Sequence, residues 1–93
     1  MDIQEITTAI RPVLEQADIV HAAIFGSLAR GDAGKDSDID LLVEFRGEKT
    51  LLDIVALKQE LEHILGRNVD VLTRRAVSPL LRDQIEAEAL PIL

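Results

Sequence analysis

The sequence has no cysteine, tryptophan or tyrosine, and its only aromatic side chains are Phe25 and Phe45. Without cysteine there are no disulfides and no thiolate metal site, which fits a reducing cytoplasm. With two aromatics among 93 residues, the core must be built from Leu, Ile, Val and Ala. No apolar run approaches the ~20 residues that cross a bilayer, so no membrane partner is expected. The opening Met1-Asp2-Ile3-Gln4-Glu5 is acidic and lacks the apolar stretch of a secretory signal. Low-complexity segments and internal repeats are absent. These absences predict a cytoplasmic protein of one domain spanning residues 1–93, with a small stability margin because a short chain buries a modest fraction of its surface.

Positive charge is also scarce. Ten Lys and Arg against seventeen Asp and Glu give a formal net charge of −7. An acidic chain is repelled by a polyphosphate backbone, which argues against a nucleic-acid polymer as substrate. It favours a metal ion or a basic partner instead. Asp32, Asp36, Asp38 and Asp40 crowd into nine residues relieved only by Lys35. Such a cluster is usually a solvated loop, but it is also what a hard divalent cation requires.

Hydrophobic spacing orders the rest. Ile3, Ile6, Ile10, Val13, Leu14 and Ala17 recur at helical intervals, with a kink expected at Pro12. Ile19 to Phe25 reads as a buried strand stopped by Gly26. Ser27 to Arg30 reads as a short helix and Gly31 to Lys35 as a loop. Ser37 to Phe45 reads as a second strand. Thr50 is placed to cap a helix with Asp53 at its third position. That helix should bury Leu51, Ile54, Val55, Leu57, Leu61, Ile64 and Leu65 and end at Gly66. Val69 to Leu72 makes a third strand. Ser78-Pro79 opens a last helix, with Leu80, Leu81, Ile85 and Ala89 inward. The apolar segment Ala87 to Leu93 suggests a tail that docks on a partner, the plainer alternative being that it closes the domain's own core. The expected architecture is α/β, an α+β sandwich with a three-stranded mixed sheet covered by about four helices.

Chemistry concentrates at two places. Residues two apart on a strand point to one face, with Cα atoms about 6.5–7 Å apart. Asp38 and Asp40 should therefore converge while Ile39 turns inward, an arrangement that can hold magnesium and a triphosphate. An isolated Asp-x-Asp is ordinarily a solvated strand edge. The preceding turn changes the weighting: Gly26 lacks a Cβ and leaves room for a phosphate, and Ser27 begins a helix whose free N–H groups attract anions. Arg30, one turn on, could contact phosphate or brace the acidic loop. Asp70 interrupts an apolar run, as a third metal carboxylate, a general base or a sheet-edge residue facing water. His21 and His63 have no partner at metal spacing and read as structural. Arg74 and Arg75 read as a solvated pair.

Gly26-Ser27-x-Ala29-Arg30-Gly31 followed by Ser37-Asp38-x-Asp40 resembles the nucleotidyltransferase superfamily that contains DNA polymerase beta and kanamycin nucleotidyltransferase. Over residues 3–93 the chain is most similar to the minimal nucleotidyltransferase (MNT) family, whose members are commonly antitoxins of HEPN-domain ribonuclease toxins. The resemblance implies the nucleotidyltransferase fold. It implies phosphate contacts from Gly26 and Ser27, magnesium held by Asp38 and Asp40, and Asp70 as the third carboxylate. It also implies ATP as substrate and transfer of AMP to a HEPN toxin, on a tyrosine, with a hetero-oligomer as one expected assembly. Ninety-three residues leave no second domain to hold an acceptor, so the acceptor is expected on another protein. Two other readings remain: an antitoxin that neutralises by binding alone, and a subunit of a split aminoglycoside-type enzyme.

Overall fold

The computed structural model describes residues 2–31 and 37–93. The elements run α1 (Ile3–Gln16), β1 (Ile19–Phe25), α2 (Ser27–Arg30), β2 (Ile39–Phe45), α3 (Leu51–Leu65), β3 (Val69–Thr73), a 3-10 turn (Arg74–Ala76), α4 (Pro79–Glu88) and β4 (Leu90–Pro91). Asp2 caps α1, its carboxylate accepting from the Glu5 N–H at 2.8 Å, and the helix runs on through Pro12. Thr50 and Asp53 form the expected reciprocal capping box of α3, and Gly66 closes that helix in the left-handed region at φ +65°. Ser78 caps α4 ahead of Pro79. The expected loop residues Asp32 to Lys35, and Asp36 after them, lie outside the described residues.

The sheet is mixed, as expected, but has four strands rather than three, in the order β3-β2-β1-β4. β2 runs antiparallel to β1 and parallel to β3, and β4 runs antiparallel to β1. An extra residue in β1, Val20, shifts the register between Ile19 and His21. This bulge puts Ile19 on the same buried side as Ala22 and Ile24. Ala22, Ile24, Ile39, Leu41, Val43 and Val69 meet Ile6, Ile10 and Leu14 of α1 and Leu57, Leu61 and Leu65 of α3 in one aliphatic core. Phe45 only borders that core.

Three expectations require correction. First, the segment from Leu90 to Leu93 closes this chain's own sheet. Ile92 is 6% exposed within the core, its N–H donates to the Ala22 carbonyl at 2.9 Å, and its carbonyl accepts from Arg11 at 3.1 Å. Second, α4 buries no side chain, leaving Leu80 93% and Leu81 52% exposed. The apolar face of the sheet is already filled by α1 and α3. The opposite face, where α4 contacts β1, carries Asp40 and Glu44, so α4 is held there by ion pairs. Arg74 bridges Glu86 at 2.7 Å and Glu44 of β2 at 3.3 Å. Third, α3 buries only Leu57, Leu61 and Leu65 of its predicted face, leaving Leu51, Val55 and Ile64 exposed.

Substituting Ile92→Ala should lower unfolding free energy by about 2–5 kcal/mol, the usual cost of emptying a packed isoleucine site. Urea denaturation followed by far-UV circular dichroism measures it. A loss below about 0.5 kcal/mol would mean that this segment is not part of the core.

Candidate active site

The site is assembled at the end of β1 and the start of β2 and β3. Phe25 faces Asp40 across the antiparallel pair, and Asp40 faces Asp70 across the parallel pair. Register partners share a face, so the Asp40 and Asp70 carboxyls are neighbours on the side of the sheet away from α1 and α3. Asp38 lies just before β2 rather than on it, because the strand begins at Ile39. The first ladder bond runs from the Ile39 N–H to the Asn68 carbonyl at 2.9 Å, and the Arg67 guanidinium donates to the Ser37 carbonyl. Arg67 and Asn68 therefore fix the chain on either side of Asp38. Neither carried a sequence signal, since an Arg-Asn pair after a helix-ending glycine looks like any turn.

Asp40 is half-buried and holds its proton above the ordinary carboxylate range. Desolvation is the largest cause, followed by the Asp70 charge, a side-chain hydrogen bond with Asp70, and the Asp38 charge, while Arg30 pulls the other way. A bond between two carboxyls needs a proton on one of them, and Asp40 is the one poised to donate it. Asp70, in an edge strand, is exposed to water and is the register partner of Asp40. Among the described residues no three His, Asp or Glu side chains are drawn together tightly enough to close on one ion as they stand. That group includes His21 and His63.

The glycine at position 26 is required for a reason other than the expected one. Its φ of +73° and ψ of −150° belong to a region essentially restricted to glycine. A Cβ there would collide with Asp40 Oδ2 and lie 3.1 Å from its Cγ. The position a Cβ would take at Gly26 is thus occupied by the Asp40 carboxylate. Gly26 is also the N-cap of α2 and supplies no side-chain cap, so Ser27 is the first helical residue rather than a capping serine. Arg30 pairs with Glu88 at 3.4 Å, tying α2 to the end of α4.

This geometry has known relatives. The chain belongs to the nucleotidyltransferase domain family, which it matches over residues 7–92, and is one of the minimal nucleotidyltransferases. It is 50% identical over 93 residues, covering 100% of both chains, to a Methanocaldococcus jannaschii protein with the provisional name protein adenylyltransferase. A solved structure provisionally assigned as a minimal nucleotidyltransferase superposes with a TM-score of 0.85 at 41% identity, covering 98% of this chain and 96% of that one. The fold is shared, at TM-score 0.77 and 22% identity, with a chain from the complex of a tri-AMPylated Shewanella oneidensis HEPN toxin and an MNT antitoxin. That match covers 97% of this chain and 71% of the other.

Two outcomes follow from Asp40. A carboxyl whose pKa is raised on folding binds protons more tightly when folded, so stability falls as pH rises from the ordinary value through the raised one. Above that window the full cost is present. Asp40→Asn should therefore raise the melting temperature of the ligand-free protein at pH 7, and the gain should shrink as pH falls toward the ordinary carboxylate value. A gain independent of pH would contradict the electrostatic cause. Gly26→Ala should destabilise by about 1–3 kcal/mol from backbone strain alone. Combining it with Asp40→Ala, which removes the collision, should restore only the part that strain does not account for. Chemical denaturation of the two variants tests this.

Proposed function

We propose that the chain is an ATP-dependent adenylyltransferase that places AMP on a hydroxyl of a HEPN-type toxin, a tyrosine, and so acts as its antitoxin. One observation carries this reading: Asp40 and Asp70 are register partners with Asp38 in electrostatic range, beside the Gly26-Ser27 turn. Support comes from the adenylyltransferase name of the Methanocaldococcus relative and from the AMPylated toxin in the Shewanella complex. The same reading locates the protein in the cytoplasm with its ATP.

Magnesium fits the donor set, since carboxylate oxygens are its preferred ligands and a divalent cation offsets the burial and the neighbouring negative charge that raise the Asp40 pKa. Held by Asp38, Asp40 and Asp70, it would supply charge neutralisation to the triphosphate and the departing pyrophosphate. The protein's own groups do the rest. Ser27, at the start of α2, offers its hydroxyl and backbone N–H to the phosphates. Arg30 adds positive charge on the same side once it loosens from Glu88. Asp70, reachable from solvent, accepts the acceptor's proton. The hydroxyl oxygen forms a bond to the α-phosphorus, the bond to the bridging oxygen breaks, and pyrophosphate carries away the electron pair. Positioning and charge stabilisation account for most of the rate.

A second reading, neutralisation by contact alone, is favoured by the exposure of Leu51, Leu52 and Leu80, which suit a protein interface. The doubly substituted Asp38→Asn, Asp40→Asn protein separates the two. It should lose transfer of labelled AMP by on the order of a hundredfold or more while keeping its fold. Titrating toxin activity against wild-type and substituted protein, with and without ATP, gives the answer. If the substituted protein neutralises fully at one-to-one stoichiometry, catalysis is not how this antitoxin works.

A further inference from the structure

Among the described residues the site's carboxylates do not close on one ion as they stand, so small shifts of their backbone decide whether they can. Two of them are approached from one corner of the fold, where α3 turns into β3. Gly66 ends α3 with its N–H on the Glu62 carbonyl at 2.8 Å, and the next two residues reach across to β2. The Arg67 guanidinium donates to the Ser37 carbonyl, which the peptide bond joins to the Asp38 nitrogen. The Asn68 carbonyl accepts from the Ile39 N–H at 2.9 Å. Asp38 is thus held on both sides, although the pairing of β2 with β3 starts only at Ile39. On the other side of the corner the Val69 N–H, one residue before Asp70, donates to Glu62 Oε2 at 3.0 Å. Lys58, one turn earlier on α3, holds the same oxygen at 3.2 Å. The bond from Val69, and then the one from Lys58, keep the Glu62 carboxyl below the usual carboxylate range.

We propose that Arg67 and Glu62 are positioning residues for the metal-binding carboxylates: Arg67 sets the backbone of Asp38, and Glu62 sets that of Asp70. The inference rests on the nucleotidyltransfer reading and adds to it the groups that hold the ligands in place. Each acts through the main chain rather than by contact with ion or nucleotide. Placement is the first argument. Both bonds land within one residue of an aspartate, where a tether limits how far the carboxylate can drift from a shared ion. Need is the second. Asp40 is fixed by register partners on both sides, Phe25 and Asp70, whereas Asp38 stands ahead of its strand and Asp70 lies in an edge strand. The two carboxylates that the sheet restrains least are the two with a tether. Common origin is the third. Both tethers leave one corner of the chain, so a single piece of structure sets the separation of Asp38 from Asp70. Magnesium demands near-ideal octahedral geometry, which gives that separation weight.

The test is a pair of double-mutant cycles read by binding. The magnesium complex of a non-hydrolysable ATP analogue is titrated calorimetrically into wild-type protein and the variants. Arg67→Met keeps the side-chain stem and removes the donor, and Glu62→Ala removes the acceptor. Each should weaken binding about tenfold or more, the usual cost of losing a group that orients a metal ligand. On an Asp38→Asn background, adding Arg67→Met should cost less than about twofold further, because the residue it acts through is already lost. Glu62→Ala should be equally silent on an Asp70→Asn background. Glu62→Gln keeps an oxygen for the Val69 N–H and should bind within about twofold of wild type. The two arms are independent, so a variant that fails to fold leaves the other arm to decide. Unchanged affinity in the single variants overturns the assignment. So does a full loss on the Asp→Asn backgrounds, which is what general damage to the corner would give, and so does a Glu62→Gln protein as weak as Glu62→Ala. If wild-type protein does not bind the magnesium complex, the nucleotidyltransfer reading itself fails and this inference fails with it.

Discussion

The carboxyl of Asp40 is pressed between the backbone of Gly26 and the carboxyl of Asp70, and much of the structure is arranged around that crowding. Gly26 must be glycine because the carboxyl occupies the position of its missing Cβ. The same residue, at a φ only glycine adopts readily, turns the chain from β1 into α2 and places Ser27 at the helix start. The parallel pairing of β2 with β3 then sets Asp70 beside Asp40. Burial first, and then the charges of Asp70 and Asp38, make the Asp40 carboxyl costly to ionise. A carboxyl that its surroundings make costly to ionise is one that a cation stabilises on binding. The ligand-free fold is therefore under electrostatic tension where the chemistry is placed, and the aliphatic core beneath β2 has to hold it.

That division of labour explains the two layers. α1 and α3 complete the apolar side of the sheet, where Ile24, Ile39, Leu41 and Val69 are fully or nearly fully buried. The other side keeps its polar groups, and α4 reaches it through Arg74 and Glu88 without burying a side chain. Exposed ion pairs of this kind contribute little stability each, about 0–1 kcal/mol. α4 is thus held to the sheet in large part by exposed ion pairs, on the face that carries Asp40.

The fold was largely legible in the sequence because its signals are local. Hydrophobic spacing marked α1, the β-branched run marked β1, and Thr50 with Asp53 and Ser78 with Pro79 marked the starts of α3 and α4. Local signals also explain the failures. β4 is two residues long and includes Pro91, so nothing in its own sequence announces a strand; only pairing with Ala23 and Ile24 makes it one. Leu80 and Leu81 looked buried because their spacing is helical and their side chains apolar, but burial depends on whether a neighbour is present. At the site, the aspartates and the Gly-Ser turn were readable as a pattern. The reason for Gly26, the placement of Asp38 ahead of the strand, and the roles of Arg67 and Asn68 depend on contacts between distant segments.

The central claim is that the crowded Asp40 carboxyl, with Asp38 and Asp70 beside it, takes up a magnesium ion when nucleotide is bound. Carbon-detected NMR of the aspartate carboxyls, titrated with pH in the absence and presence of magnesium and a non-hydrolysable ATP analogue, reads this directly. The account predicts that Asp40 titrates above the ordinary carboxylate range in the free protein and falls below its free-protein value with both ligands present. An Asp40 carboxyl that titrates normally in the free protein, or that does not respond to magnesium and nucleotide, would contradict it.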